Sequence, residues 1–322
     1  MWRACGPYSH YLIEVSRMAH SSGPIEAGLF PARSNAVSGN MFAVVAIVLW
    51  AAGFPAAERL LDVMDPITLI TMRINMACLV MVPIWWVVDG TAILRAPWGW
   101  GLTMGGGTFG IGTFLLLVAQ DLTDAVTVAI VAVLIPLIAA ALEVFFGRRR
   151  FTLALIIGLI VALIGGVISL GGNLTLEFGL GAFLVVLSGA FFMLGSHLAV
   201  DALPHLSPVG RATLPFVGAC VLLTIAWLIA RPLGWAEGPG RALSVEEWAM
   251  LGIYAIGAMA LSQIFFITAI GKIGVTLTSF HMNVAPLYVM LIMVALGAAW
   301  SWPQAIGGAV VVLGAIYVQS RD

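Results

Sequence analysis

The chain has 322 residues, of which 61% are hydrophobic and only 9% are charged, and its formal net charge is −1. Soluble domains are about half apolar and about one quarter charged, so water could not hydrate a surface this poor in charge. The composition excludes an ordinary soluble globular protein and predicts an integral membrane protein. Because the net charge is close to zero, there is no electrostatic reason to expect nucleic acid as a partner.

Residues 1–38 differ from the rest of the chain. They are polar and contain several prolines, and they lack the continuous apolar core of a signal peptide. We predict a disordered cytoplasmic N-terminal extension. Met18 and Met41 are alternative start sites to Met1, and the sequence alone does not choose among them.

A membrane-spanning helix needs roughly 20 mostly apolar residues. Ten stretches meet this requirement, and we number them spans 1 to 10: 40–58, 66–88, 98–119, 124–147, 151–171, 178–200, 208–230, 247–270, 274–297 and 301–319. Spans 4 and 5 are joined by residues 147–150, and spans 8 and 9 by residues 271–274. Such short connections predict antiparallel helical hairpins.

The distribution of lysine and arginine predicts the orientation. With the N-terminus in the cytoplasm, ten of these residues fall on the cytoplasmic side and three on the outer side, while Arg73 lies within span 2. Cytoplasmic loops of membrane proteins carry an excess of positive charge. An even number of spans then returns the C-terminus to the cytoplasm as well.

The two halves of the chain resemble each other. Matched residues lie 142 positions apart in spans 1–2 and 6–7, and 150 apart in spans 3–5 and 8–10. The matches are Gly53 with Gly195, Pro66 with Pro208, Cys78 with Cys220, Trp98 with Trp248, Gly107 with Gly257, Pro136 with Pro286, Gly147 with Gly297 and Gly158 with Gly308. The eight extra residues fall in the polar loop between spans 7 and 8, where an insertion is least disruptive.

Five spans per half is an odd number, so the second half begins on the opposite side of the membrane. The predicted fold class is therefore an all-α integral membrane protein with ten transmembrane helices in two inverted five-helix repeats. Transporters use this arrangement to hold a substrate site near the membrane midplane that opens to each side in turn.

Several local motifs accompany the repeat. Span 1 ends in the stretch 50–55, which contains Gly53, and Pro66 is followed seven residues later by Arg73. Spans 4 and 9 carry Pro136 and Pro286, and glycine-rich spans 5 and 10 follow them. With these motifs, residues 40–320 resemble the drug/metabolite transporter superfamily, in particular its EamA-type members.

The resemblance implies one five-helix repeat over residues 39–173 and a second over 174–322, with a cavity lined by spans 1, 3, 4, 6, 8 and 9. The chain departs from the family at three places. Arg148 and Ala298 stand where the family usually has a glutamate, and Pro215 stands at the position that matches Arg73.

Ionisable side chains within a membrane are costly and need a reason. Arg73 is a candidate contact for a substrate carboxylate or a gating residue; the alternatives are a structural pair with Glu58 or Asp62, or snorkelling to the outer surface. Glu58 and Glu143 are candidates for proton coupling or for structural charge, and Glu143 has an ion pair at the helix end as its alternative role.

Further substrate-binding or gating candidates are polar or aromatic residues within the spans: Trp50, Asn75, Gln263, His281 and Asn283. The alternative role of the four polar residues is hydrogen bonding between helices, and the alternative for Trp50 is a position facing lipid. Gln120 and His197 rank lower because they lie near span ends. Pro136 and Pro286 are predicted helix kinks. Tryptophans near span ends are expected to anchor the chain at the membrane surface: Trp85, Trp86, Trp98, Trp100, Trp300 and Trp302.

We predict a secondary transporter, acting as an exporter of amino-acid-like or other small polar metabolites across the cytoplasmic membrane. The alternative is an uptake or exchange carrier for sugars, nucleosides or drug-like compounds. An intramembrane enzyme is a distant alternative, since the sequence lacks zinc-protease and serine-hydrolase motifs. We expect no cofactor and no metal site. The expected partners are a small-molecule substrate and the lipid bilayer, with the proton as candidate coupling ion; a homodimer is left open.

Overall fold

The computed structural model describes residues 33–132, 134–135, 138, 152–169, 176–203 and 205–320. Within these residues every regular element is helical. The α-helices are α1 (Arg33–Leu61), α2 (Pro66–Asp89), α3 (Trp98–Gly105), α4 (Ile111–Asp121), α5 (Ala125–Ala132), α6 (Leu153–Ser169), α7 (Leu176–Ala202), α8 (Pro208–Ala230), α9 (Val245–Gly252), α10 (Ser262–Phe280), α11 (Ala285–Ala295) and α12 (Trp302–Ser320).

Two of these helices are continued by π-helical turns, in which the backbone hydrogen bonds span one residue more than in an α-helix. The first π-helix, Gly106–Gly110, joins α3 to α4, and the second, Ile253–Leu261, joins α9 to α10. Short 3₁₀ turns follow α2, α8 and α10: Gly90–Arg95, Arg231–Leu233 and His281–Val284.

Six helical segments among the described residues are long and apolar enough to cross a membrane: Ala36–Leu61, Pro66–Arg95, Trp98–Asp121, Gly179–Ser196, Pro208–Leu233 and Val245–Ile273. Two shorter apolar helices lie at His281–Ala295 and Trp302–Gly314. The predicted all-helical membrane class is therefore confirmed, whereas the ten spans in two repeats stay a prediction.

Two boundaries differ from the predictions. Helix α1 begins at Arg33, within the predicted extension, of which residues 1–32 lie outside the described part. The predicted turn at 271–274 is wrong, because α10 continues through it to Phe280. Glycine is tolerated inside membrane helices, and here Ala269 and Ile273 pack against Ala43 of α1, which supports a continuous helix.

Helices α2 and α8 pack antiparallel and are joined by polar contacts within the bundle. The Trp227 indole donates to the Thr68 hydroxyl at 3.0 Å, near the start of α2. Farther along α2, the Asn75 amide donates to the Thr224 hydroxyl at 2.9 Å. At the other end, the Ser207 hydroxyl before α8 donates to the Asp89 carboxylate at 2.8 Å.

Trp85 is fully buried, and its predicted role as a surface anchor is wrong. Its indole N–H donates to Asp89 at 2.8 Å, one turn further along α2. The neighbouring Trp86 points about 100° away around the helix and is 50% exposed. A position near a span end did not distinguish these two adjacent side chains, because only packing decides which of them faces the bundle.

The two π-helices lie at matched positions of the two halves. Shifting the first π-helix by 150 residues places it within the second, and each contains one of the matched glycines Gly107 and Gly257. π-helical turns are rare and are often found at functional sites.

A second correspondence involves close helix approach. A Cβ added at Gly53 would lie 2.5 Å from the Cβ of Ala258, and one added at Gly195 would lie 2.5 Å from Oγ1 of Thr108. Gly195 matches Gly53 at 142 residues, and Ala258 matches Thr108 at 150 residues. Each contact therefore joins one predicted half to the other, and the residues of one contact are the matched counterparts of the residues of the other contact.

Glycines also bring α8 against α3 and the first π-helix. A Cβ at Gly105 would overlap the carbonyl oxygen of Pro215, and a Cβ at Gly218 would lie 2.5 Å from the carbonyl oxygen of Leu102. Because both obstacles are backbone atoms, they cannot move aside as a side chain could. Small residues allow this approach, which supplies packing energy in a lipid environment.

We predict that Gly105→Ala lowers the thermal unfolding midpoint in detergent, because overpacking a tight contact costs roughly 1–3 kcal/mol. Gly107→Ala is the matched control, since a Cβ there would meet no atom within 4 Å. Fluorescence-monitored thermal unfolding measures both. Equal midpoints for the two variants would contradict the packing argument.

Candidate functional site

A cavity near the middle of the bundle contains about 540 Å³ of empty space, its open mouth included. Its walls come from predicted spans 1, 3, 4, 6, 8 and 9, the six that the family resemblance implied. One lining residue from each is Trp50, Leu116, Ile135, Phe192, Gln263 and Met282. Residues of α1, α7 and α10 contribute most of the walls, so these helices define the shape of this central cavity.

The central cavity is mainly apolar, with a few polar groups. The Ser188 hydroxyl donates to the Gly112 carbonyl at 2.7 Å, and the Ser262 hydroxyl donates to the Ala258 carbonyl at 2.8 Å. Both hydroxyl protons are therefore already engaged. The Gln263 side chain is 7% exposed, and its amide makes no hydrogen bond to the described residues. Gln263 is thus the polar group best placed to bind a solute here.

A second, smaller cavity adjoins the first and contains about 240 Å³ of empty space, its open mouth included. Trp50 and Leu116 line both cavities, so they form the partition between them. The polar members of the small cavity are Arg73 and Gln120, and Tyr254 also lines it. It lies toward the end of α1 and the beginning of α2, which is the predicted outer end of the bundle.

Arg73 is only 6% exposed, so it does not snorkel to the surface. Its Nε donates to the Tyr254 carbonyl at 3.1 Å, and its guanidinium lies 3.8 Å from the centre of the Tyr254 ring. Tyr254 belongs to the second π-helix, where the regular hydrogen-bond ladder changes. No carboxylate among the described residues forms an ion pair with Arg73, so the expected pairing with Glu58 or Asp62 is absent from that part of the chain.

Glu58 instead caps a helix. Its carboxylate accepts a hydrogen bond from the backbone N–H of Ala125 at 2.8 Å, at the first residue of α5. Asp124 accepts from the N–H of Thr127 at 2.9 Å in the same turn. Two carboxylates at a helix N-terminus accept hydrogen bonds from free backbone N–H groups, and their negative charge interacts favourably with the positive end of the helix dipole. This geometry favours the structural role of Glu58 over proton coupling.

Gln120 is 4% exposed, although its position near a span end had ranked it low. Its amide donates to the Phe54 carbonyl at 2.7 Å, one residue before Pro55. The contact fixes α4 against α1 beside the small cavity. Tyr254, Ser188 and Ser262 were missed by the sequence reasoning, because isolated hydroxyl residues within an apolar span carry no positional signal.

Other predicted residues lie away from the two cavities. Asn75 is at the interface of α2 and α8, where its amide also donates to the Thr71 carbonyl at 2.8 Å. His281 is half-buried and Asn283 is 2% exposed; both lie in the 3₁₀ turn between α10 and α11, and neither lines a described cavity.

Pro286 occupies the first turn of α11, where proline is well tolerated. The interruption predicted there is therefore a 3₁₀ turn followed by a new helix, in place of a kink within one helix. Pro136 and Glu143 lie outside the described residues.

A bundle with several helices able to cross a membrane, built around a cavity at mid-length, defines a multi-pass membrane protein. Residues 37–171 match the sequence model of the EamA-like transporter family. This match confirms the predicted resemblance to EamA-type members of the drug/metabolite transporter superfamily, and it coincides with the predicted first repeat.

Two further proteins are similar to this chain. "Uncharacterized transporter YyaM" of Bacillus subtilis (strain 168) is 25% identical over 221 residues, which cover 65% of this chain and 69% of that protein. A solved crystal structure superposes with a TM-score of 0.65 at 21% identity, covering 89% of this chain and 98% of that one. That superposition shows a shared fold.

Because Glu58 caps α5, we predict that Glu58→Ala lowers the free energy of unfolding by about 0.5–2 kcal/mol. Glu58→Gln keeps an oxygen acceptor for Ala125 and should lose less. Thermal unfolding in detergent compares the variants. An equal loss in the two variants would show that the negative charge, and not the hydrogen bond, is what the protein needs.

Proposed function

We propose that the chain is a secondary transporter that exports amino-acid-like or other small polar metabolites across the cytoplasmic (inner) membrane by alternating access. The observation that carries this proposal is the central cavity at mid-length of the bundle, lined from six helices. A substrate site near the membrane midplane is what a carrier requires if it is to open to each side in turn.

The proposed mechanism depends on two inverted five-helix repeats, with both termini in the cytoplasm. Three observations support such repeats. Matched helices α2 and α8 pack antiparallel. The two π-helices lie at matched positions, and the Gly53 and Gly195 contacts join matched partners. An in-plane two-fold relation requires matched helices to run in opposite directions.

The proposed movement is a rocking of helices about these glycine contacts, which exposes the central cavity first to one side and then to the other. Gln263 and Trp50 would contact the cargo, and Arg73 would act at the outer end. The proton is the proposed coupling ion. The alternative, an uptake or exchange carrier for sugars, nucleosides or drug-like compounds, would use the same cavity and differ in the cargo and in the direction of net flux.

The first test is flux of a radiolabelled amino-acid panel in proteoliposomes, with and without an imposed pH gradient. We expect saturable flux of at least one compound, accelerated by the gradient. Protein-free liposomes and a Gly107→Ala variant, altered outside both cavities, are the controls. Flux that never saturates, or that equals the protein-free control for amino acids, sugars and nucleosides alike, would refute the carrier.

A second test measures access to the central cavity from each side. In a background with Cys5, Cys78 and Cys220 replaced by serine, Ser262→Cys should react with a membrane-impermeant thiol reagent added from either side, because the cavity opens alternately. Saturating substrate should slow the reaction. A variant with cysteine at half-buried Ser301, just before α12 and outside both cavities, is the control and should react from one side only. Reaction of Ser262→Cys from one side only would contradict alternating access.

A further inference from the structure

The small cavity holds a buried cation but no anion among its lining residues. The exposed fraction of Arg73 is only 6%, and its described contacts are the carbonyl and the ring of Tyr254. The carbonyl accepts from Nε and the Tyr254 side chain also interacts with the guanidinium, but no carboxylate among the described residues pairs with the two terminal amines. They border a cavity whose other members, such as Gln120 and Leu117, bring no negative charge.

A guanidinium removed from water needs compensation. A carbonyl dipole and an aromatic face return part of the lost hydration energy. Full compensation in a low-dielectric site requires an anion in good geometry. The guanidinium presents paired N–H groups that match the two oxygens of a carboxylate.

The small cavity adjoins the apolar central cavity. Trp50 and Leu116 line both, and the Trp50 ring meets Phe54 edge to face at 4.8 Å between centres. On the central side, Phe192, Met193 and Phe266 supply apolar surface. One molecule lying across the partition would place a polar end against Arg73 and an apolar end between these side chains.

We propose that the transported substrates are amphipathic carboxylates, bound with the carboxylate on the Arg73 terminal amines and with the apolar group in the central cavity beside Trp50. This inference rests on the proposed carrier function and narrows its substrate class. It disfavours organic cations, because the Arg73 charge repels them, and sugars, because they provide neither the anion nor the apolar body.

The ligand test uses wild-type protein in detergent and two matched pairs: phenylalanine with phenylalaninamide, and 3-phenylpropionate with 3-phenylpropanamide. Each pair keeps the ring and changes the carboxylate to an amide. We expect each carboxylate to bind roughly 10- to 100-fold more tightly by calorimetry, as for a hydrogen-bonded charge pair. The two pairs also separate amino acids from simple organic acids, since only the first carries an ammonium group.

The protein test compares Arg73→Gln with Arg231→Gln. Arg231 lies at the same predicted end of the bundle, is exposed, and stacks 5.0 Å from the Trp227 ring, so its loss removes the same charge from outside the cavity. Arg73→Gln should abolish the preference for carboxylate over amide, and Arg231→Gln should keep it. Arg73→Lys retains the positive charge but lacks the paired N–H groups of the guanidinium, so it should keep part of the preference for carboxylate over amide.

The outcomes separate the two proposals. Amides that bind wild-type protein as tightly as carboxylates, or no binding by either carboxylate, would overturn the Arg73 site even if the protein carries other solutes. An Arg73→Gln variant that is monodisperse and keeps the preference would overturn it as well. Carboxylate binding without flux in proteoliposomes would leave the site standing and refute the carrier. If Arg73→Gln fails to fold, the ligand pairs on wild-type protein decide.

Discussion

Close approach of helix backbones at glycines is the constraint on which the rest of this structure depends. In lipid, apolar side chains gain little by meeting each other, so helices associate where small residues let their backbones touch. Gly53 against Ala258, Gly195 against Thr108 and Gly105 against Pro215 are contacts of this kind. They fix α1, α7 and α8 against the two helical segments that contain the π-helices, and the central cavity lies between these helices.

The buried polar side chains fall into two sets: one set hydrogen-bonds within the protein and stabilises the fold, and the other lines the two cavities. Asn75, Glu58 and Ser188 form hydrogen bonds to neighbouring helices, and Ser262 donates to a carbonyl one turn earlier in its own helix. Arg73 and Gln263 line the two cavities and make no ion pair or hydrogen bond to a side-chain carboxylate among the described residues. Polar groups in the hydrocarbon region of a membrane need hydrogen-bond partners. For those that border a cavity, a solute or water would be that partner.

The second π-helix links these two sets of residues. It supplies the Tyr254 carbonyl and ring to Arg73 at one end and leads directly into Ser262 and Gln263 of the central cavity. A change in the winding of this segment would move both cavities together, because they share one continuous helix. The matched position of the first π-helix gives the other half a comparable element.

The sequence by itself determined the membrane class, the six long apolar helices and the residue matches between the two halves of the chain, because these depend on hydropathy and on glycine and proline spacing along one dimension. Only the tertiary structure decided that Trp85 is buried beside an exposed Trp86, that Glu58 caps α5, and that α10 continues through 271–274. Each depends on which neighbouring helix a side chain meets, and residues far apart in the chain supply that neighbour. The same reason explains why Arg73 was identified early as a residue requiring an explanation, while its partner Tyr254, 181 residues away, was not.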